Sequence, residues 1–224
     1  MEITRKNLVV LGDSFMSPDL WNSEYAGTHW TEKCIKYNIF NLSRPGYSNY
    51  NIIRQLHHAL ENNLQFDFLL IWFTDHRLTM ENLSSKSWLG PTLTNCTPEF
   101  LTEDQKLAVK YYFTEISNTL ILEQTALEIL GILSWLKSKN LKFLFNFGHW
   151  QGFTYLKPCC SIRKELEVFK NSMYNFSEIN LADYLIKDKL IFNSFTGPSY
   201  HTKEFWQDHI VQAVQKKFEE VYGD

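Results

Sequence analysis

An apolar segment that leads directly into a Gly-Asp-Ser turn constrains this chain more than any other feature. Residues 7–11 read Asn-Leu-Val-Val-Leu, and Gly12, Asp13 and Ser14 follow at once. Glycine permits the sharp turn that such a junction requires, and the N–H groups that open the next helix are then free to bind an anion. Open α/β sheets carry their chemistry at the carboxyl ends of strands. The segment therefore predicts a nucleophilic Ser14 or, in the plainer interpretation, a serine N-cap at a strand-to-helix turn.

Length, charge and cysteine usage limit the class of protein. At 224 residues the chain suits one domain, 1–224, because single cores grow to roughly 250–300 residues before they split. A net charge of -3 with scattered Lys and Arg argues against a nucleic-acid partner. The four cysteines show no paired C-x-x-C spacing, and no apolar run approaches a membrane span. The amino terminus lacks a secretory signal, so we expect a cytoplasmic protein with no membrane partner.

Short apolar runs alternate with helical patterns along the chain. Near-continuous runs are typical of parallel strands buried on both faces, and they lie at 8–11, 39–42, 66–73, 141–147 and 190–195. Apolar residues at helical spacing predict helices between the runs, one of them ending at Asn140, and a closing helix at the carboxyl end. This alternation predicts an α/β fold with a doubly wound parallel sheet.

One interval interrupts the alternation. From His76 to about Glu123 we find no convincing strand, and Thr-Glu-Asp-Gln at 102–105 has the pattern of a capping box that opens a long helix. A long connection at the carboxyl edge of a sheet is usually functional or disordered. The aromatic residues of this interval favour order, so we predict a lid-like helical insertion at about 76–123.

Three further segments carry polar residues or glycine at the ends of predicted strands. Gly46 lies in the loop after the second run. Thr74 and Asp75 follow the third run, and His201 precedes the closing helix. In order and spacing, these segments and the Ser14 turn resemble the four blocks of the SGNH (GDSL-type) hydrolase family. The resemblance spans nearly the whole chain.

The same resemblance implies a fold and a cellular location. The implied fold is a three-layer α/β/α sandwich with a five-stranded parallel sheet of flavodoxin-like order. Residues 41–49 and 73–77 also resemble SGNH-like proteins encoded by bacteriophages, for which the location would be the host cytoplasm.

The family pattern implies a role for each matched residue. Ser14 would be the nucleophile, and His201 would act as general base and then as acid to the leaving group. The backbone N–H groups of Ser14 and Gly46 would stabilise the oxyanion. The pattern implies no metal and no cofactor.

Two positions depart from that pattern. Thr74 stands where the family has an asparagine that donates to the oxyanion, a hydrogen bond whose loss costs about 100- to 1000-fold in turnover. Thr74 itself or Asn49 would have to supply this donor. Pro198 stands where the family has an aspartate, so His201 would work in a dyad, or be oriented by a backbone carbonyl or a carboxylate such as Asp75.

Other candidate residues have a structural interpretation beside the functional one. Asp13 and Asp75 could support the chemistry or could stabilise their own turns through local hydrogen bonds. Tyr47, Trp88 and His149 could line a substrate pocket, while ordinary packing is the alternative.

These features predict a hydrolase that acts on ester bonds, a serine esterase whose partner is a small ester or an acylated sugar such as an O-acetyl carbohydrate. The departures at Thr74 and Pro198 leave a second hypothesis, a catalytically weakened SGNH-like protein that binds carbohydrate or serves as a structural phage protein. A flavodoxin-like small-molecule or nucleotide binder is the third. The sequence does not indicate an oligomeric state.

Overall fold

A computed structural model of the chain describes residues 5–12, 16–17, 30–44, 48–73, 80–82, 87–89, 102–115, 118–147, 160–173 and 204–223. The strands in these ranges are β1 (Lys6–Leu11), β2 (Tyr37–Asn41), β3 (Phe68–Phe73), β4 (Met80–Asn82), β5 (Ser87–Leu89) and β6 (Phe143–Phe147). The α-helices are α1 (Trp30–Lys33), α2 (Asn49–Glu61), α3 (Glu103–Glu115), α4 (Asn118–Ser138), α5 (Cys160–Leu166) and α6 (Glu204–Tyr222), and a 3₁₀ helix spans Glu167–Ser172.

Four of the strands form a parallel sheet in the order β2-β1-β3-β6. Its register runs from Lys6↔Tyr37 at one end of the β1 and β2 pair to Val10↔Asn41 at the other. β3 pairs with β1 and with β6, again in parallel. The predicted α/β fold with a parallel sheet is therefore confirmed. The predicted fifth strand, 190–195, lies outside the described residues.

Alternate residues of β1 pack into two separate hydrophobic clusters. Val9 and Leu11 belong to a cluster that also holds residues of α2 and α4. Leu8 and Val10 belong to a second cluster with residues of α1 and α6. Because successive side chains of a strand point to opposite faces, helices pack against both faces of the sheet. Full burial of a side chain such as Leu8 stabilises the fold by about 1.5–3 kcal/mol.

β2 departs from the expectation of a strand buried on both faces. Tyr37 is buried, but Asn38 and Phe40 are exposed. Within the described sheet β2 pairs only with β1, so one of its sides has no neighbouring strand. The apolar run at 39–42 does not distinguish an edge strand from a central one, because that difference depends on which strands pair beside it.

The interval between His76 and Glu123 contains two strands that the sequence did not predict. β4 and β5 pair antiparallel, with Met80 opposite Leu89. The expectation of no strand there is wrong, because three-residue strands are too short to show a period of two.

The capping box predicted at 102–105 is confirmed. The Thr102 N–H donates to Oε1 of Gln105 at 2.9 Å, and the Gln105 N–H donates to Oγ1 of Thr102 at 3.2 Å. The helix begins at Glu103. The reciprocal bonds satisfy N–H groups that have no partner within the helix. Among the described residues, no helix is both long enough and apolar enough to cross a membrane.

On the side of β6 that faces away from β3, the described residues place a side chain and an isolated bridge. The Tyr222 hydroxyl accepts a hydrogen bond from the Phe143 N–H at 2.9 Å and donates one to the Phe143 carbonyl at 2.8 Å. Farther along, Phe145 forms a parallel bridge with Met173. Both contacts involve backbone groups that face away from β3, on the side where the described sheet has no further strand.

Tyr222→Phe is expected to lower the free energy of unfolding by about 1–3 kcal/mol, because it leaves both backbone groups of Phe143 without the hydroxyl. Urea denaturation followed by circular dichroism measures the change. Tyr111→Phe is the matched control, since Tyr111 is 64% exposed on α3. Equal losses in the two variants would contradict the prediction.

The ionisation of the buried Tyr37 affects the stability of the fold at alkaline pH. Burial, with further contributions from Cys34 and Glu219, raises the pKa of Tyr37 to about 12. An unfolded tyrosine titrates near 10, so the stability contributed by the neutral phenol is complete below about pH 10 and is lost as the pH rises towards 12.

Tyr37→Phe should therefore move the midpoint of alkaline unfolding to higher pH. The ring contacts with Phe68 and Phe218, at centroid distances of 5.7 Å and 5.8 Å, do not need the hydroxyl. Circular dichroism against pH measures the midpoint, with Tyr111→Phe again as the control. A midpoint unchanged from wild type would contradict the contribution of the Tyr37 phenol to alkaline unfolding.

Candidate functional site

The carboxyl ends of the four parallel strands lie at one edge of the sheet, where the sequence predicts the chemistry. Most of the predicted residues lie outside the described residues. Seven of them follow these strand ends along the chain, namely Asp13, Ser14, Gly46, Tyr47, Thr74, Asp75 and His149, while His201 precedes α6. Asn49 and Trp88 lie inside them. Trp88 belongs to β5, in the short antiparallel pair. The roles of all these residues stay predictions, and what the structure describes is the framework around them.

Asn49 is buried in the first turn of α2. It is 3% exposed and directly follows the N-cap residue Ser48, whose Oγ accepts a hydrogen bond from the Asn51 N–H at 3.4 Å. The helix starts three positions after Gly46. Backbone N–H groups and the helix dipole favour negative charge at such an end. The amino-terminal end of α2 is therefore suited to a developing oxyanion.

Hydrogen bonds join the chain that follows β1 to the chain that follows β2. The Arg44 N–H donates to the Gly12 carbonyl at 3.2 Å. Nδ2 of Asn41 donates to the Met16 carbonyl at 2.6 Å. Gly12 and Met16 stand on either side of Ser14, two positions away in each direction. The segment that carries Ser14 is thus attached at both ends to the segment that leads to Gly46.

Two residues at this edge, Asn41 and Gln55, were not among the predicted site residues. Gln55 is 8% exposed, and its Nε2 lies 3.5 Å from the Gly12 carbonyl oxygen. A signal for Gln55 exists in the sequence, because it stands between Ile52 and Leu56 on the apolar face of α2. Asn41 gives no such signal, since its contact depends on the pairing of β2 with β1.

Cys34 is excluded as a nucleophile by its surroundings. It lies before the start of β2, at the amino-terminal edge of the sheet, and is 3% exposed. Burial raises the pKa of its thiol. The hydrogen bond that Nε2 of Gln215 donates to Sγ at 3.5 Å lowers the pKa, but by less. A neutral buried thiol is unreactive. Within the described ranges, no three His, Cys, Asp or Glu side chains are grouped to hold a metal ion.

Gly12 occupies a position with no room for a side chain. A Cβ there would lie 2.9 Å from Cγ of Met16 and 3.0 Å from Cβ of Trp72, and both neighbours are fully buried. Glycine therefore lets the end of β1 approach β3 and the Met16 turn closely.

Gly12→Ala is expected to destabilise the protein by about 1–3 kcal/mol, because buried neighbours must move to admit the methyl group. Gly131→Ala is the matched control. Gly131 lies within α4 with no atom within 4 Å of the added Cβ, so alanine there should stabilise the helix by about 0.5–1 kcal/mol. Thermal unfolding of both variants tests the prediction, and a stabilising Gly12→Ala would refute it.

Comparison with known proteins finds similarity in structure alone. No protein-family model and no curated protein matches the sequence. An acetylxylan esterase from Geobacillus stearothermophilus, solved as a catalytic mutant, has a TM-score of 0.54 and 9% identity over 97% of this chain and 96% of that one.

Two further solved structures are similar in fold. TesA has a TM-score of 0.50 and 12% identity, over 96% of this chain and 99% of its own. A putative lipolytic protein of the G-D-S-L family from Desulfitobacterium hafniense has a TM-score of 0.50 and 12% identity, over 93% and 99%. The structural neighbours are thus of the SGNH (GDSL) type that the sequence resembles, and the chain shares their α/β fold.

Proposed function

We propose that this protein is a serine esterase of the SGNH type, which hydrolyses an oxygen ester through an acyl-enzyme on Ser14. The observation that carries the proposal is the junction at the carboxyl edge of the sheet. There, the residues on either side of Ser14 are hydrogen-bonded to the chain that leads to Gly46. The fold shared with an acetylxylan esterase supports the same reaction class.

In the proposed reaction, Oγ of Ser14 attacks the carbonyl carbon of the ester while His201 removes the hydroxyl proton. Negative charge develops on the carbonyl oxygen, where the N–H groups of Ser14 and Gly46 donate to it. The tetrahedral intermediate collapses as His201 returns the proton to the departing alcohol. A water molecule, activated by His201, then attacks the acyl-enzyme, releases the acid and regenerates Ser14.

Thr74 and Asn49 are the two candidates for a third oxyanion donor. Asn49 is supported by its burial in the first turn of α2, where the helix end favours negative charge. His201 is proposed to work in a dyad with Ser14, or to be oriented by a backbone carbonyl or a carboxylate such as Asp75, and Asp13 is proposed to support the turn.

The proposed substrate is a small ester, with an O-acetyl group on a carbohydrate as the first choice. Two observations support this class. Aromatic residues make up 16% of the chain, and flat rings can stack on sugars. Structural neighbours are described as acetylxylan esterases. Tyr47, Trp88 and His149 are the proposed pocket residues.

Ser14→Ala and His201→Ala are each expected to lower the hydrolysis of p-nitrophenyl acetate by at least about a thousandfold, since the two groups act as a unit. A fluorophosphonate probe should label the wild type at Ser14, as mapped by mass spectrometry. Acetylated xylo-oligosaccharides test the substrate class through release of acetate.

Matched controls come from the described part of the chain. Ser138→Ala changes an exposed serine at the end of α4, and His58→Ala changes an exposed histidine on α2 that contacts Asn62. Both should retain wild-type rates. Equal rates for Ser14→Ala and wild type would exclude the esterase. Glycan binding that survives Ser14→Ala, without labelling, would favour the catalytically weakened carbohydrate-binding protein.

A further inference from the structure

Asn41 is the last residue of β2, and its side-chain amide bridges two segments of the candidate site. Nδ2 donates to the Met16 carbonyl at 2.6 Å, while Oδ1 accepts from the Ser43 N–H at 3.0 Å. A carboxamide donates from one atom and accepts at another, whereas an ionised carboxylate only accepts and a hydroxyl has a single oxygen for both functions. The side chain therefore uses both of its functions to connect positions 25 residues apart.

These contacts lie next to the two residues on which the proposed reaction depends. Met16 stands two positions after Ser14, and Ser43 stands three positions before Gly46. The bond from the Arg44 N–H to the Gly12 carbonyl forms a second link between the same two segments, on the other side of Ser14. A displacement of one segment is thus transmitted to the other.

The residues packed beneath this junction are not optimised for stability. Gln55 donates to the Gly12 carbonyl, yet its buried Oε1 has no hydrogen-bond partner among the described residues. The same holds, within the described part of the chain, for Oγ of Ser43 and both polar side-chain atoms of Asn51. Unsatisfied buried polar groups cost free energy, so stability alone does not account for polar residues here. The bond from Nε2 of Gln55 to the Gly12 carbonyl is a contact that positions neighbouring chain.

We propose that Asn41 is a positioning residue for the esterase reaction: its amide fixes the segment that carries Ser14 relative to the segment that carries Gly46. This inference rests on the proposed function. Asn41 acts through Met16 and Ser43 rather than on the reacting atoms. Its effect is expected to be large, because a misplacement of about 1 Å can cost about a hundredfold in rate.

Two substitutions at this position separate the loss of the hydrogen bonds from the introduction of a charge. Asn41→Asp keeps the acceptor for the Ser43 N–H but places a second acceptor against the Met16 carbonyl, where a donor is needed. Asn41→Leu removes both bonds without adding a charge. Each should lower kcat for p-nitrophenyl acetate by about 10- to 100-fold with KM changed less than about threefold, and slow the labelling of Ser14 by the same factor as kcat.

Asn38 offers a control on the same strand. Its Nδ2 donates to the Arg5 carbonyl at 3.3 Å and to Oδ1 of Asn7 at 3.2 Å, so it makes comparable contacts at the opposite edge of the sheet. Asn38→Asp and Asn38→Leu should leave kcat and the labelling rate within about twofold of wild type, whatever they do to the melting temperature. Loss of activity in the Asn38 variants equal to that in the Asn41 variants would overturn the proposal.

Gln55→Met provides a second variant if the Asn41 variants do not fold. It keeps the length of the side chain and removes the donor to the Gly12 carbonyl, so kcat should fall by about three- to tenfold with KM unchanged. A folded Asn41→Leu, or in its absence a folded Gln55→Met, with the kcat of wild type would overturn the proposal.

Amide hydrogen exchange distinguishes this proposal from the proposed function. In Asn41→Leu, exchange should accelerate in both 12–17 and 41–48, whereas Asn38→Leu should change neither segment. If the wild type shows no Ser14-dependent hydrolysis and no labelling, the esterase proposal fails. Hydrogen exchange then still tests whether Asn41 links segment 12–17 to segment 41–48. Acceleration in both segments supports the link through Asn41, and acceleration confined to 41–48 overturns it.

Discussion

The parallel pairing of β1 with β2 is the interaction on which the candidate site depends. The pairing continues beyond both strands, because the Leu42 N–H donates to the Val10 carbonyl and the Arg44 N–H donates to the Gly12 carbonyl. A shift of one residue in this register would turn every side chain of β2 to the other face of the sheet. Asn41 would then no longer reach the chain after Ser14. The register is therefore a condition for the proposed chemistry as well as for the fold.

Burial on both faces of the sheet holds this register in place. Every residue of β3 is buried, and the side chains of β1 alternate between two clusters that helices supply from opposite sides. The fit is close at the carboxyl edge, where Gly12 leaves room for Met16 and Trp72. The same edge contains buried polar atoms that have no partner among the described residues, as at Asn51. Apolar packing thus stabilises the sheet while its carboxyl edge is left for polar groups that position the chain.

Local patterns predicted those parts of the fold that local forces determine. The capping box at 102–105 formed because its two side chains bond within one turn, and the helix predicted to end at Asn140 ends at Ser138, with Asn140 itself at a positive φ of 54°. The failures have a common cause. The β4 and β5 pair is too short to show a period, and β2 lies at the edge of the described sheet because of which strands pair beside it.

The sequence by itself determined the alternation of the four parallel strands with helices, the parallel class of the sheet and the types of residue that follow the strand ends, because hydrophobic periodicity and turn chemistry act over a few residues. Which side chains meet at the carboxyl edge was decided only by the tertiary structure. Asn41 and Met16 are 25 residues apart, and Gln55 and Gly12 are 43 apart. Such contacts exist only after β2 and α2 have packed beside β1, and no local pattern encodes that packing.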